Sequence, residues 1–205
     1  MDHYYAKDPL AASQPGEVMF RFADKDLVFQ TDTGVFSRSR VDYGTQVLLG
    51  AMPALEGNLL DVGCGYGPIG LCLGVANPGL QVVMADVNTR ALMLAGENAK
   101  RLRVAAEVLE SDGFAGVRGR VFDTIVTNPP IRAGNGVYFP WFAAAPHYLA
   151  PGGSFYCVIS KNQGAPSAKR AIEEHFGAVS VIGKSAGFWV IQASQPVYPG
   201  GHEAK

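Results

Sequence analysis

Short apolar segments alternate with helical stripes between residues 58 and 193. Five apolar runs have the length and β-branched content of buried strands. They read "NLLDVG", "QVVMAD", "AEVLES", "FDTIVT" and "GSFYCVIS". Helices are predicted between and after them, at Pro68–Ala76, 88–103, 139–149 and 165–176. This alternation predicts an α/β domain with a parallel, doubly wound, Rossmann-like sheet.

The last two strand-like segments, "AVSVIG" and "FWVIQA", are separated only by "KSAG". This connection is too short for a crossover helix, so the two strands are predicted to be antiparallel. Ligands of such sheets bind beyond the carboxyl ends of the strands, near the point where the winding reverses. Site residues are therefore expected at the strand ends.

The N-terminal quarter of the chain has a different pattern. Residues 18–22 and 27–30 alternate in polarity around "ADKD", which indicates a hairpin. Asp42 is suited to begin a helix that runs to about Ala51. We therefore interpret 1–52 as a small N-terminal β/α cap on a main domain at 53–205, together forming one compact unit.

Composition limits the classes of function. The chain has 205 residues, is 48% hydrophobic and has a formal net charge of −1, which excludes a strongly basic nucleic-acid-wrapping protein but permits a local basic patch. Cys64, Cys72 and Cys157 are widely spaced and form no metal-binding pattern, so we expect reduced thiols, no metal and a cytoplasmic protein. No secretory pattern and no run of about 18 apolar residues is present, so no membrane association is expected.

A glycine-rich loop follows the first strand of the main domain. In "LLDVGCGYGPIG", Gly63, Gly65 and Gly67 allow a sharp turn that a ligand can approach closely. Asp86 ends the next strand, about 20 residues further on, where a carboxylate can accept hydrogen bonds from both hydroxyls of a ribose. NAD and S-adenosylmethionine (SAM) both fit these features.

Three further features favour SAM. Asp61 precedes the first glycine, where a carboxylate would repel a pyrophosphate but can hold an ammonium group. Asp112, in "ESDGF", ends the third strand, where an adenine amine would lie. "NPPI" ends the fourth strand, and a dehydrogenase has no need for it. Each feature alone also fits a turn or a helix cap, but acids at three successive strand ends favour a cofactor site.

The stretch "DTIVTNPPIR" ends a strand abruptly on Asn128, Pro129 and Pro130. Methyl transfer to an amine requires an in-line nucleophile about 3 Å from the carbon. Asn128 Oδ1 and the Pro129 carbonyl can each accept one hydrogen of an NH₂ group, which makes its nitrogen more nucleophilic. The two prolines fix the backbone that presents these acceptors. A turn without catalytic function is the alternative interpretation.

Ile131 follows the second proline, where many amine methyltransferases have an aromatic residue that stacks on the target. Another side chain must therefore support the acceptor group. Phe36, in "GVFS", is the first candidate, and Tyr138, Phe139 and Trp141 are alternatives. Each of these four can instead belong to the core.

Taken together, these residues resemble the methyltransferase small domain family, and within it the catalytic half of the bacterial small-subunit ribosomal RNA guanine-N2 methyltransferases. The glycine loop and "NPP" are shared by many methyltransferases, whereas "GVFS", "NPPIRAG" and "QGAPSAK" are more specific to this family. The matching segments, which cover nearly the whole chain, are "DHYY", "TDTGVFSRSRVDYGT", "LLDVGCGYGPIGL", "ADVNTRAL", "ENAK", "FDTIVTNPPIRAG", "APGG" and "KNQGAPSAK".

The resemblance implies a class I methyltransferase fold, an open seven-stranded sheet whose last strand is reversed, with 53–205 as the SAM-dependent domain. It implies SAM as the methyl donor and a catalytic role for Asn128, Pro129 and Pro130. The implied substrate contacts are Phe36, Ile131, Arg132 and Lys161. The implied cofactor contacts are Asp61, Gly63, Cys64, Gly65, Gly67, Asp86, Val87, Asp112, Gly113 and Asn128.

The same resemblance implies methylation of the exocyclic N2 amine of a guanine in ribosomal RNA, either free or in the small ribosomal subunit. A local basic rim is expected to bind this RNA, formed from Arg38, Arg40, Arg132, Lys161 and Lys169. N-methylation of protein glutamine or of adenine, and nucleotide binding without transfer, are the alternatives. Both a monomer and a dimer fit the pattern.

Overall fold

The structure, a computed structural model, describes Lys7 and residues 11–198. The "DHYY" segment of the predicted family match, at residues 2–5, lies outside the described residues. The helices of the described part are α1 (Tyr43–Ala51), α2 (Pro68–Ala76), α3 (Thr89–Leu102), α4 (Asn135–Ala144) and α5 (Ala165–Glu173). The strands are β1 (Gly16–Phe22), β2 (Lys25–Thr31), β3 (Asn58–Val62), β4 (Gln81–Asp86), β5 (Ala106–Glu110), β6 (Phe122–Thr127), β7 (Leu149–Ser160), β8 (Phe176–Ser185) and β9 (Phe188–Pro196).

Seven of these strands form one sheet in the order β5-β4-β3-β6-β7-β9-β8. The pairs from β5 to β7 are parallel, whereas β9 runs antiparallel to both β7 and β8. The predicted α/β sheet with a reversed last strand is therefore confirmed. The chain winds from β3 outward to β5 and then returns to β6 on the other side of β3. The loops after β3 and β6 consequently lie where the winding reverses.

Alternate side chains of the central strands pack on opposite faces of the sheet, as strand geometry requires. Leu59 belongs to a hydrophobic cluster that includes residues of α1, α2 and α3. Leu60 and Val62 belong to a second cluster, which includes residues of α4 and α5. Because both faces are covered, the strands are apolar along their length, which explains the short apolar runs of the sequence.

The N-terminal elements pack on the first cluster. β1 and β2 form the predicted antiparallel hairpin, and Val18, Phe29 and Leu48 are buried together with Leu59. Asn98 of α3 donates from Nδ2 to the carbonyls of Gln30, at 3.0 Å, and of the glycine loop, at 2.9 Å. The residues on both sides of position 52 thus share one core, while the proposed division at that position stays a prediction.

The sequence placed α4 incorrectly. The predicted helix at 139–149 would have put Pro140 in its first turn, where the missing N–H costs nothing. The observed helix begins at Asn135 and contains Pro140 in its interior, and a 3₁₀ turn at Ala145–Tyr148 follows it. Trp141 of α4 lies at the carboxyl-end edge of the sheet, where it lines a cavity.

Candidate active site

A cavity opens at the carboxyl-end edge of the sheet, between the loops after β3 and β6. Residues of four strand ends meet there with residues of the N-terminal segment and of α4. Its lining consists of Phe36, Ser37, Asp42, Thr45, Gly63, Cys64, Gly65, Tyr66, Pro68, Ile69, Asp86, Val87, Ala91, Ser111, Asp112, Gly113, Asn128, Pro129, Pro130, Val137 and Trp141. Most of the residues predicted for the cofactor and for catalysis are therefore brought together.

The glycine loop after β3 is held by the neighbouring strand. The backbone N–H groups of Gly63 and Cys64 both donate to the Ala85 carbonyl, at 2.8 and 3.0 Å. Gly65 has a φ of +57°, and a Cβ atom added there would meet nothing within 4 Å. Glycine at this position therefore permits the left-handed backbone and leaves space on the cavity side for a ligand.

Gly67 does not line the cavity, although the resemblance placed it among the cofactor contacts. It caps the N-terminus of α2 with a φ of +94°, and an added Cβ atom would lie 2.8 Å from Leu71 Cδ1. Glycine is needed here to let the loop enter the helix without a clash. The direct contact of Gly67 with the cofactor, which the resemblance implies, stays a prediction.

Asp86 links the glycine loop to β4. Its Oδ2 accepts a hydrogen bond from the Gly65 N–H at 2.8 Å, and its Oδ1 accepts one from the Asn88 N–H at 2.9 Å. Burial raises the pKa of Asp86, and its backbone hydrogen bonds act in the opposite direction. The following helix is capped by Asn88, which accepts from the Ala91 N–H, so Asp86 is not the cap. Its carboxylate oxygens keep lone pairs for a ribose.

Asp61 lies beneath the loop and does not line the cavity. Its Oδ2 accepts a hydrogen bond from the Gly70 N–H at 2.9 Å, whereas its Oδ1 is buried and accepts none from the described residues. Burial, followed by the charge of Asp86, raises the pKa of Asp61 to about 7. An unpaired buried carboxylate oxygen is costly, and a nearby cation would reduce that cost. The predicted interaction of Asp61 with an ammonium group stays a prediction.

The charged residues of the lining all have the same sign. Asp42, Asp86 and Asp112 line the cavity, and no lysine or arginine does so among the described residues. Such a site attracts a ligand with sulfonium and ammonium groups and repels a pyrophosphate. The residues present therefore fit SAM, with Asp86 placed for its ribose hydroxyls and Asp112 for its adenine amine.

Trp141 forms a wall of this cavity that the sequence suggested only as a possible stacking residue. A Cβ atom added to Gly113 would lie 2.6 Å from Trp141 Nε1, and one added to Gly63 would lie 3.3 Å from Trp141 Cη2. The indole thus packs closely over the backbone of two strand-end loops. Glycine is therefore required at position 113 for this approach.

Asn128 is held by two residues from the start of α1. Its Nδ2 donates to Asp42 Oδ2 and to Thr45 Oγ1, both at 3.1 Å. Because an ionised carboxylate can only accept, the amide nitrogen must face Asp42 and the oxygen must face away from it. No described residue donates a hydrogen bond to Asn128 Oδ1. This oxygen is therefore available to an incoming donor.

The sequence identified Asp42 only as a helix cap, which it is, since it accepts from the Thr45 N–H at 3.4 Å. Its second contact joins positions 86 residues apart, and no local pattern in the sequence signals such a contact. Thr45 was missed for the same reason. The N-terminal segment is thus part of the site, and not only a cap on the main domain.

The two prolines form a tight turn. Pro130 has φ −75° and ψ +73°, and the Ile131 N–H donates to the Pro129 carbonyl at 2.8 Å. These values define an inverse γ-turn, whose φ proline fixes in advance. One lone pair of the Pro129 carbonyl is engaged in this turn, and the other remains for a substrate amine.

Of the residues predicted to contact the substrate, only Phe36 lines the cavity, with 39% of its surface exposed. Ile131 and Arg132 lie in the 3₁₀ turn Ile131–Ala133, and Lys161 begins a similar turn after β7. Among the alternative stacking residues, Tyr138 is 1% exposed and belongs to the core, and Phe139 packs against that core. Phe36 and Trp141 are the two aromatic candidates that reach the site.

Three further observations concern the cysteines, helix length and metal ligands. All three cysteines are free and buried, as expected for reduced thiols. No helix in the described part of the chain is long and apolar enough to cross a membrane. Within the same residues, no group of three or more His, Cys, Asp or Glu side chains is arranged to hold a metal ion.

The chain is similar to a protein family and to individual relatives along most of its length. The model of the methyltransferase small domain family matches residues 26–192. An uncharacterized protein of Bacillus subtilis, YbxB, is 41% identical over 198 residues, covering 95% of this chain and 98% of its own length. The ribosomal RNA small subunit methyltransferase C of Aeromonas hydrophila is 36% identical over 179 residues, covering 85% of this chain and 51% of its own length.

A solved structure shows the same architecture. The Thermus thermophilus 16S rRNA N2 methyltransferase RsmC, determined with AdoMet and guanosine, superposes with a TM-score of 0.79 at 28% identity. The match covers 91% of this chain and 52% of that chain. The chain thus spans about half the length of the Aeromonas and Thermus enzymes and nearly all of the Bacillus protein.

Proposed function

Since the chain belongs to the methyltransferase small domain family, we propose that it transfers a methyl group from SAM to the N2 amine of a guanine in small-subunit ribosomal RNA. The observation that carries this proposal is the orientation of the Asn128 amide, whose Nδ2 is fixed by Asp42 and Thr45. The proposal is further supported by the names of the Aeromonas and Thermus relatives, which describe ribosomal RNA methyltransferases.

The side chains that face the acceptor prepare an amine rather than deprotonate it. Asn128 Oδ1 accepts one N–H of the NH₂ group, and the free lone pair of the Pro129 carbonyl accepts the other. This pairing draws the nitrogen lone pair out of conjugation with the ring and orients it in advance, so little reorganisation is needed during the reaction. When bound, SAM supplies an electrophilic methyl carbon: the amine lone pair forms the N–C bond, the S–C electron pair stays on sulfur, and the surplus amine proton passes to water.

RNA would approach along a rim of exposed basic side chains. Arg38 and Arg40 follow the cavity residue Ser37, Arg132 follows the proline turn, and Lys161 follows β7. All four are exposed, and none of them forms an ion pair with a described acidic residue. Lys169 differs, because it pairs with Glu173 on α5. A small basic patch suits recognition of an unpaired or flipped guanine.

The direct test is transfer of tritiated methyl groups from SAM onto ribosomal RNA that lacks the modification. Small subunits, whole ribosomes and naked RNA are compared as substrates, and the labelled RNA is digested to nucleosides. We expect the label in N2-methylguanosine. Label in N6-methyladenosine or in ribosomal protein would contradict the proposed acceptor, and heat-denatured enzyme provides the background.

A further inference from the structure

We propose that Asp42 accepts a hydrogen bond from the N1–H group of the acceptor guanine. This contact would favour guanine over the other molecules whose amine Asn128 could bind. This inference rests on the proposed function and identifies which residue sets its base specificity. It starts from the hydrogen bond between Asp42 Oδ2 and Asn128 Nδ2, which places a carboxylate directly beside the amide that faces the acceptor.

Only one of the two Asp42 oxygens is occupied. Oδ2 accepts from Asn128 Nδ2 and, more weakly at 3.4 Å, from the Thr45 N–H. No described residue donates to Oδ1, and Asp42 is half-buried in the lining of the cavity. A carboxylate oxygen in this position can accept a hydrogen bond from a ligand, whereas it cannot donate one.

The possible methyl acceptors differ in the group that lies next to their amine. In guanine, the N2 amine is adjacent to N1–H, so two donors lie side by side and match one amide oxygen and one carboxylate oxygen. In adenine and cytosine, the amine is adjacent to an unprotonated ring nitrogen, and in a glutamine side chain it is adjacent to a carbonyl. All three would place a lone pair against the carboxylate, which costs free energy in a site that is partly closed to water.

The carboxylate also acts on the reaction itself. Methyl transfer moves positive charge from the donor sulfur to the guanine amine. A negative charge beside N1 stabilises that developing cation, and it is already in place before the reaction begins. Asp42 therefore has a specificity role toward N1–H and a positioning role toward Asn128.

The affinities of two nucleosides distinguish recognition of N1–H by Asp42 from a purely structural role of this residue. Guanosine and 2-aminopurine riboside both have the N2 amine, but only guanosine has N1–H; 2-aminopurine presents a lone pair at N1. Their affinities for the intact protein, saturated with S-adenosylhomocysteine, are measured by ligand-observed NMR competition. We expect the wild type to bind guanosine at least about tenfold more tightly than 2-aminopurine riboside. The reason is that burying the N1 lone pair of 2-aminopurine without a donor costs free energy of that size.

Asp42→Asn tests the assignment to this side chain. Asparagine keeps the helix cap and the acceptor for Asn128, but its amide can donate to the N1 lone pair of 2-aminopurine. The guanosine preference should therefore fall to near one, and each variant is measured at saturating S-adenosylhomocysteine so that a change in cofactor affinity does not alter the comparison. Asp42→Ala should also lose the preference, since it removes both the acceptor for N1–H and the repulsion of the N1 lone pair. Asp24→Asn, the same change at an exposed hairpin turn, should keep the wild-type preference.

Equal affinity of the wild type for the two nucleosides, or no detectable binding of either, would overturn the inference without any variant. An Asp42→Asn protein that is saturated with S-adenosylhomocysteine and keeps the full guanosine preference would also overturn it. The proposed function fails separately, through the absence of N2-methylguanosine from labelled ribosomal RNA. N2-methylguanosine together with an unchanged preference in Asp42→Asn would leave the function intact and reject only the role of Asp42.

Discussion

Asn128→Ala is expected to lower the rate of methyl transfer by roughly 10²- to 10³-fold, the usual effect of removing one preorganised polar contact to the reacting group. The affinity for SAM should stay within a few-fold of wild type. Asn128 and Asp42 are both half-buried, and Thr45, which is buried, carries no charge. The truncation therefore leaves no deeply buried charge unpaired, and the fold should be retained.

Single-turnover transfer at saturating SAM measures the chemical step, and calorimetric titration measures SAM binding. Asn58→Ala is a matched control, because Asn58 lies at the start of β3, on the opposite edge of the sheet from the cavity. This control should be close to wild type in both measurements. Near-normal transfer by Asn128→Ala would refute the role of the amide, and a large parallel loss of SAM affinity would assign Asn128 to the cofactor instead.

Asp86→Ala is expected to weaken SAM binding by about 100-fold, since charge-assisted hydrogen bonds of the ribose hydroxyls to a carboxylate would be lost. The substitution also leaves the N–H groups of Gly65 and Asn88 without their acceptor. Unpaired buried donors of this kind cost about 1–3 kcal/mol each, so the free energy of unfolding should fall as well. Calorimetry and thermal unfolding measure the two effects.

Asp26→Ala separates these effects from the loss of a carboxylate in general. Asp26 is exposed in the N-terminal hairpin and pairs with Arg21 at 3.2 Å, so its removal should leave SAM affinity unchanged and stability nearly so. If Asp86→Ala bound SAM as tightly as the wild type, the assignment of the ribose to Asp86 would be wrong. Binding of NAD in preference to SAM by the wild type would contradict the cofactor assignment as a whole.

The parts of the fold that sequence predicted well are those fixed by local patterns. α2 was predicted with its observed bounds, because Pro68 suits the first turn and a glycine loop precedes it. The parallel arrangement of the sheet could be inferred because buried parallel strands are short, apolar and separated by helices. α4 was misplaced because its interior Pro140 is tolerated only through tertiary packing, which the local pattern does not show.

The candidate site was predicted only as far as its residues follow strand ends. Asp86, Asp112 and Asn128 could be found in this way, and they line one cavity. Asp42 and Thr45 could not, since their contacts with Asn128 join elements 86 and 83 residues apart. The contrast between Gly65, which faces open space, and Gly67, which packs under α2, also depends on tertiary neighbours.

The central claim is that the Asn128 amide presents its oxygen to the N2 amine of a guanine. A crystal structure of the protein with S-adenosylhomocysteine and guanosine tests it most directly. We predict that Asn128 Oδ1 lies within hydrogen-bond distance of N2, about 3 Å, with Nδ2 still on Asp42. A guanosine bound in the cavity with its N2 amine turned away from Asn128 would contradict the account.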